Sequence, residues 1–176
     1  MEVVEANGAR IPAIGLGTMT LQDAVCVEAV KTALRLGYRH IDTAERYNNE
    51  AAVGEGLHQG LRDAGLKRED VFVTTKVYFD KLAVADFQRS FDESLTKLKL
   101  PWVDLLLIHW PNPKVPLAET LGVLCKAKRD GRDRAFARHS HGRLGTRARG
   151  RRLPRLDCGE RLDDGGVVER GKDDDP

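Results

Sequence analysis

The sequence has little with which to tie itself together covalently or to enter a membrane. Its three cysteines, Cys26, Cys125 and Cys158, are scattered over 176 residues with no C-x-x-C spacing. Neither a disulfide framework nor a metal site is expected from them. No stretch approaches the roughly 20 apolar residues that crossing a bilayer takes. The opening, Met1-Glu2 before Val3-Val4, lacks the basic region and long apolar core of a targeting peptide. A cytoplasmic protein with no membrane partner is the expectation. Aromatic residues make up 6% of the chain, and none lies beyond Phe136. One domain with a sizeable core fits this length.

Lysine also runs out. Residues 1–136 carry 9 Lys and 10 Arg against 19 acids, whereas 137–176 carry 9 Arg and one Lys against 8 acids. The few aliphatics of that tail, such as Leu144, Leu153 and Val167, follow neither a helical nor a strand period. Its composition is that of a disordered Arg/Gly-rich segment. Two readings compete. One is a basic arm that binds nucleic acid or an acidic partner. The other is translation of GC-rich DNA in a shifted frame, which gives many Arg, Gly and Ala codons and few Lys codons. The abrupt change, with Asp163, Asp164, Asp173, Asp174 and Asp175, favours the shifted frame over a nucleic-acid partner.

What is present before that break is an alternation of strands and helices. Val3–Ala6 and Ala9–Ile11 flank Asn7-Gly8, a pair suited to a type I′ hairpin turn. Ile14–Gly17, Tyr38–Asp42, Val71–Val77 and Val103–His109 read as strands, the last nearly all apolar as a strand covered on both faces should be. Helices are predicted between and after them. The first has Thr20 and Asp23 spaced as a capping box, and Gly37 behind it. The second runs from Glu50 to about Leu61. The third carries Phe87, Phe91, Leu95 and Leu98 as one stripe ahead of Pro101. The fourth opens at Pro116 and closes at Gly131. No fifth strand is expected after Gly131, and the first and fourth strands would be open edges. The fold class is α/β: four βα units after a hairpin, a partial (β/α)₈ TIM barrel. Two copies pairing their edges would be one route to self-association.

Four polar side chains sit at or just past strand ends, where parallel barrels place their active sites. They are Asp42, Tyr47, Lys76 and His109. Lys76 follows a largely apolar run, and a buried lysine needs a carboxylate partner. Asp42 on the neighbouring strand would supply it. A cation beside a tyrosine hydroxyl favours the phenolate, which would let Tyr47 give a proton to a carbonyl oxygen. His109 would hold that oxygen by a hydrogen bond. Each also has a plain structural reading: a loop cap, a surface aromatic, a solvated strand end and a hydrogen-bonded histidine. Their shared position across three successive strand ends raises the joint reading above these.

Gly37-Tyr38-Arg39-His40-Ile41-Asp42-Thr43-Ala44, with Tyr47, Asn49-Glu50, Val53 and Gly54 after it, resembles the first signature of the aldo-keto reductase family. Leu107-Ile108-His109-Trp110-Pro111, Thr74-Thr75-Lys76-Val77 and Gly15-Leu16-Gly17-Thr18 resemble its fourth, third and first strand ends. The hairpin is similar to the plug that closes the barrel floor. The resemblance covers residues 1–136 and then stops, leaving 137–176 without a counterpart. It implies NADPH-dependent reduction of an aldehyde or ketone, a small carbonyl compound being the partner. Catalysis would fall to Asp42, Tyr47, Lys76 and His109. Gly17, Thr18 and Asp42 would lie near the nicotinamide ribose, and His109, Trp110 and Tyr78 would line the substrate pocket. Met19 stands where some relatives have an aromatic, Tyr78 where many have tryptophan, and Asp133 where an aliphatic is usual. A Gly-Val-Ser-Asn-Phe-like segment is missing after Phe136, so truncation would impair the activity. The alternative function is a non-catalytic protein whose basic tail binds nucleic acid.

Overall fold

The computed structural model describes residues 2–6 and 9–138, with backbone alone at 136–138. The Asn7-Gly8 turn and the whole tail from 139 onward lie outside the described residues, and with them both readings of the tail. Strands β1 (Val3–Ala6) and β2 (Ala9–Pro12) pair antiparallel, Val3 opposite Pro12 and Ala6 opposite Ala9. A second sheet is entirely parallel. Its strands are β3 (Leu16–Gly17), β4 (His40–Asp42), β5 (Phe72–Val77), β6 (Leu105–Ile108) and β7 (Phe136–Arg138), side by side in chain order. Helices α1 (Asp23–Arg35), α2 (Glu50–Asp63), α3 (Val84–Leu98) and α4 (Leu117–Arg129) connect them. Strand order that never reverses is the order of a barrel wall rather than of a doubly wound sheet. The fold is part of a (β/α)₈ barrel. Among the described residues, no helix is long and apolar enough to cross a membrane.

Strand β7 corrects the sequence expectation. Phe136-Ala137-Arg138 is too short, and follows too closely on Asp133, to show a strand period. It is a strand because β6 offers a free edge: Leu106 pairs with Phe136 and Ile108 with Arg138. The Leu106 N–H also donates to the Ala135 carbonyl at 2.9 Å. Within the described residues the outer strands are therefore β3 and β7. The capping box at α1 is not made either. Thr20 is used in a turn closed by Leu21 N–H on the Thr18 carbonyl, and Gln22 becomes the residue that caps the helix, without a side-chain bond.

Side chains alternate across each strand. Ile41, Val73, Val77, Leu106 and Ile108 are fully buried against the helices. The α3 stripe packs there as the spacing predicts, with Phe87, Phe91, Leu95 and Leu98 all buried. Helix α2 lies close to both neighbours because glycines face them. A Cβ on Gly54 would stand 2.6 Å from the Leu98 carbonyl oxygen at the end of α3. The opposite face of the sheet carries His40, Asp42, Thr74, Lys76 and Leu107. There the polar residues face one another. His40 meets the Thr74 hydroxyl at 2.9 Å through Nε2 and the Pro12 carbonyl of the hairpin at 3.3 Å through Nδ1. This sets the hairpin at the N-terminal end of β4, away from the strand ends that carry the site. Burial lowers the His40 pKa, against a smaller upward pull from its bond to Pro12.

Candidate active site

Asp42 closes β4, Lys76 lies one residue before the end of β5, and His109 follows directly on β6. Adjacent parallel strands in this register bring all three to one rim. Tyr47 arrives differently. The chain leaves β4 through Thr43-Ala44 and makes a 3₁₀ turn, Glu45–Tyr47, ended by Asn48 in a left-handed conformation at φ 54°. The turn folds Tyr47 back over the strand ends. It is tied down at two points. Gln22 Nε2 donates to the Tyr47 carbonyl at 3.1 Å, and Glu45 pairs with Lys81 from the turn after β5.

The Lys76 ammonium is the centre of the cluster. It donates to Asp42 Oδ1 at 2.5 Å, to the Thr43 carbonyl at 2.8 Å and to the Tyr47 hydroxyl at 3.4 Å. An ammonium has three donors, and here each has an acceptor. A buried cation needs this compensation. The His109 backbone N–H donates to the Val77 carbonyl at 2.9 Å, which fixes the residue in line with its strand. Its ring stands edge-on to both Tyr47 and Tyr78, with centroids 5.7 Å from each. Trp110 stacks on it with centroids 6.4 Å apart.

These residues line one open cavity of about 580 Å³, a size suited to small organic ligands. Asp42, Tyr47, Lys76 and His109 all line it, together with Tyr78 and Trp110. All four polar residues and both predicted pocket aromatics are thus brought together. Gly17 and Thr18 lie beside them, since Gly17 is paired with Asp42 across the sheet. A Cβ on Gly17 would meet nothing within 4 Å. Thr18 is buried and bonds twice to the Asp42 carbonyl, through its N–H at 3.0 Å and its hydroxyl at 3.1 Å. The Asp42 side chain remains one third exposed, at 34%. Space beside a partly exposed carboxylate suits a polyhydroxyl group.

Two residues support the site without having been singled out from the sequence. Asn49 is buried and donates to the Thr18 carbonyl at 2.7 Å and the Leu21 carbonyl at 2.8 Å. It also accepts from the Thr43 hydroxyl at 3.0 Å. It thereby pins the loop after β3 to the loop after β4. Glu50, equally buried, accepts from the Thr75 hydroxyl at 2.6 Å. Thr75 and Lys76 are consecutive, so α2 grips the back of the stretch whose front carries the ammonium. Burial raises the Glu50 pKa, partly offset by the Thr75 hydroxyl. The only available signal for either was the motif Tyr47-Asn48-Asn49-Glu50 itself.

Comparison with known proteins gives the family. Residues 13–138 match the model of the aldo/keto reductase family. Methylglyoxal reductase DkgB of Salmonella typhi is 46% identical over 123 residues, which are 69% of this chain and 45% of that protein. Aldose reductase from Schistosoma japonicum superposes with a TM-score of 0.75 at 35% identity, covering 78% of this chain and 52% of the other. Bombyx mori aldo-keto reductase, solved in complex with NADP, gives 0.71 at 32% identity, with 78% and 50% covered. The chain spans about half the length of the relatives it matches. It belongs to the aldo/keto reductase family.

Proposed function

We propose that this chain carries the catalytic half of an NADPH-dependent reductase of small aldehydes and ketones, acting in the cytoplasm. The observation that carries the reading is the contact of Lys76 Nζ with both Asp42 and the Tyr47 hydroxyl. A bound nicotinamide cofactor would supply the hydride. The residues of this chain do the rest. Tyr47 donates a proton to the carbonyl oxygen as it gains negative charge, and the adjacent ammonium stabilises the phenolate left behind. Asp42 holds that ammonium in place. His109 orients the carbonyl oxygen by a hydrogen bond. Gly17, Thr18 and Asp42 would hold the nicotinamide ribose in the open space over Gly17, and Tyr78 and Trp110 would enclose the substrate.

Support comes from the family match, from the NADP complex of the Bombyx mori relative and from the small dicarbonyl in the name of the Salmonella one. Among the described residues β3 and β7 are the outer strands, which makes self-association through their edges part of the same proposal. The test is NADPH oxidation with a panel of aldehydes, comparing the chain with Tyr47→Phe. Loss of turnover in the variant supports the assignment. Equal rates remove Tyr47 from the reaction.

A further inference from the structure

We infer that Arg46 is a specificity-determining residue that reads a carboxylate on the carbonyl substrate, an inference that rests on the reductase reading of the same cavity. Arg46 lies in the 3₁₀ turn directly before Tyr47 and lines the cavity beside it. Its guanidinium carbon stands 4.4 Å from the centroid of the Tyr78 ring. The Tyr78 ring in turn is 5.7 Å from the ring of His109. The cation is thus held one aromatic ring away from the group that would orient the carbonyl oxygen.

Among the described residues the charge of Arg46 is unmatched. Arg68 and Arg134 both meet the Asp104 carboxylate, and Arg132 meets Asp92. Arg46 has no ion pair among the described residues. The carboxylate within the same cavity, Asp42, is taken by Lys76. A guanidinium held over a ring keeps its N–H edges free, and those edges match a carboxylate in a two-pronged fork. A substrate with a carboxylate about a ring's width from its aldehyde could touch His109 and Tyr47 at one end and Arg46 at the other. A neutral substrate of the same shape would leave Arg46 to water.

The experiment compares 4-carboxybenzaldehyde with its uncharged methyl ester, titrated calorimetrically into the full chain at low salt. Arg46 is exposed, so its contribution is that of a solvated ion pair, about fivefold in affinity. The expected result is that preference for the acid in the wild type, its loss in Arg46→Gln and partial retention in Arg46→Lys. The preference should persist in Tyr47→Phe. Equal affinities in the wild type, no binding of either compound, or a preference that survives Arg46→Gln would each overturn the inference. A parallel assay of NADPH oxidation separates the two readings. Preference without turnover counts against the reductase alone, and turnover without preference counts against Arg46 alone.

Discussion

Lys76 and Asp42 form an ion pair 2.5 Å long that is unequal in exposure, the lysine side chain 5% exposed and the aspartate 34%. The cost of breaking it therefore depends on which partner is removed. Asp42→Ala leaves a buried ammonium with only the Thr43 carbonyl and Tyr47 hydroxyl as acceptors, and should destabilise the fold by about 2–4 kcal/mol. Adding Lys76→Met to it removes the stranded charge and should recover most of that loss. Urea unfolding of the single and double variants measures both. A double variant no more stable than Asp42→Ala would contradict the pairing.

Asp133 makes stability depend on pH. It lies just before β7 and is 1% exposed, and burial raises its pKa from 3.8 to about 8, against a smaller downward pull from the backbone N–H of Ala135. The folded state thus holds a proton that the unfolded state releases above pH 4. Its contribution to stability is complete below the unfolded pKa and is lost as pH rises toward 8. Glu50, also raised by burial, acts in the same direction. Unfolding free energy should fall between pH 5 and 8 (about the span set by these groups), and Asp133→Leu should flatten the fall. An unchanged slope in that variant would remove Asp133 as its source.

Gly54→Ala should destabilise the protein although alanine is the better helix former by about 1 kcal/mol. Its Cβ would press on the Leu98 carbonyl, which is backbone and cannot swing away. A net loss of about 1–3 kcal/mol is expected. Thermal unfolding checks the sign, and a rise in Tm would show that α2 and α3 are less closely packed than described.

Asn49→Ala should loosen the loop after β3 while leaving the core intact. It removes two buried donors and one acceptor that together join Thr18, Leu21 and Thr43, a loss of about 2 kcal/mol. Hydrogen exchange should speed up at the Thr18 and Leu21 amides and remain slow in β5. Uniform acceleration would point to global destabilisation instead.

The parts of this fold that were legible in the sequence repeat locally. The α3 stripe, the apolar β6 and the glycines at 37 and 131, with φ of 96° and 71°, each announce themselves within a few residues. So did the convergence of Asp42, Lys76 and His109, because consecutive parallel strands end on one rim. What stayed hidden depends on distant partners. Three residues form β7 only because β6 has an edge to fill. Thr20 fails as a cap because Asn49, some 28 residues from Leu21, holds that turn. Arg46 gains its meaning from Tyr78, from which helix α2 and strand β5 separate it in sequence. Tyr47 falls between: the motif marked it, but the 3₁₀ turn that delivers its hydroxyl to Lys76 has no period to read.

The central claim is that Tyr47 serves as proton donor beside Lys76. Its most direct test joins residues 1–138 of this chain to the remaining half of the Salmonella reductase and measures NADPH oxidation with a small aldehyde. The chimera should turn over, and Tyr47→Phe within it should lower the rate by about 10²–10³. Equal rates from the two chimeras would contradict the account.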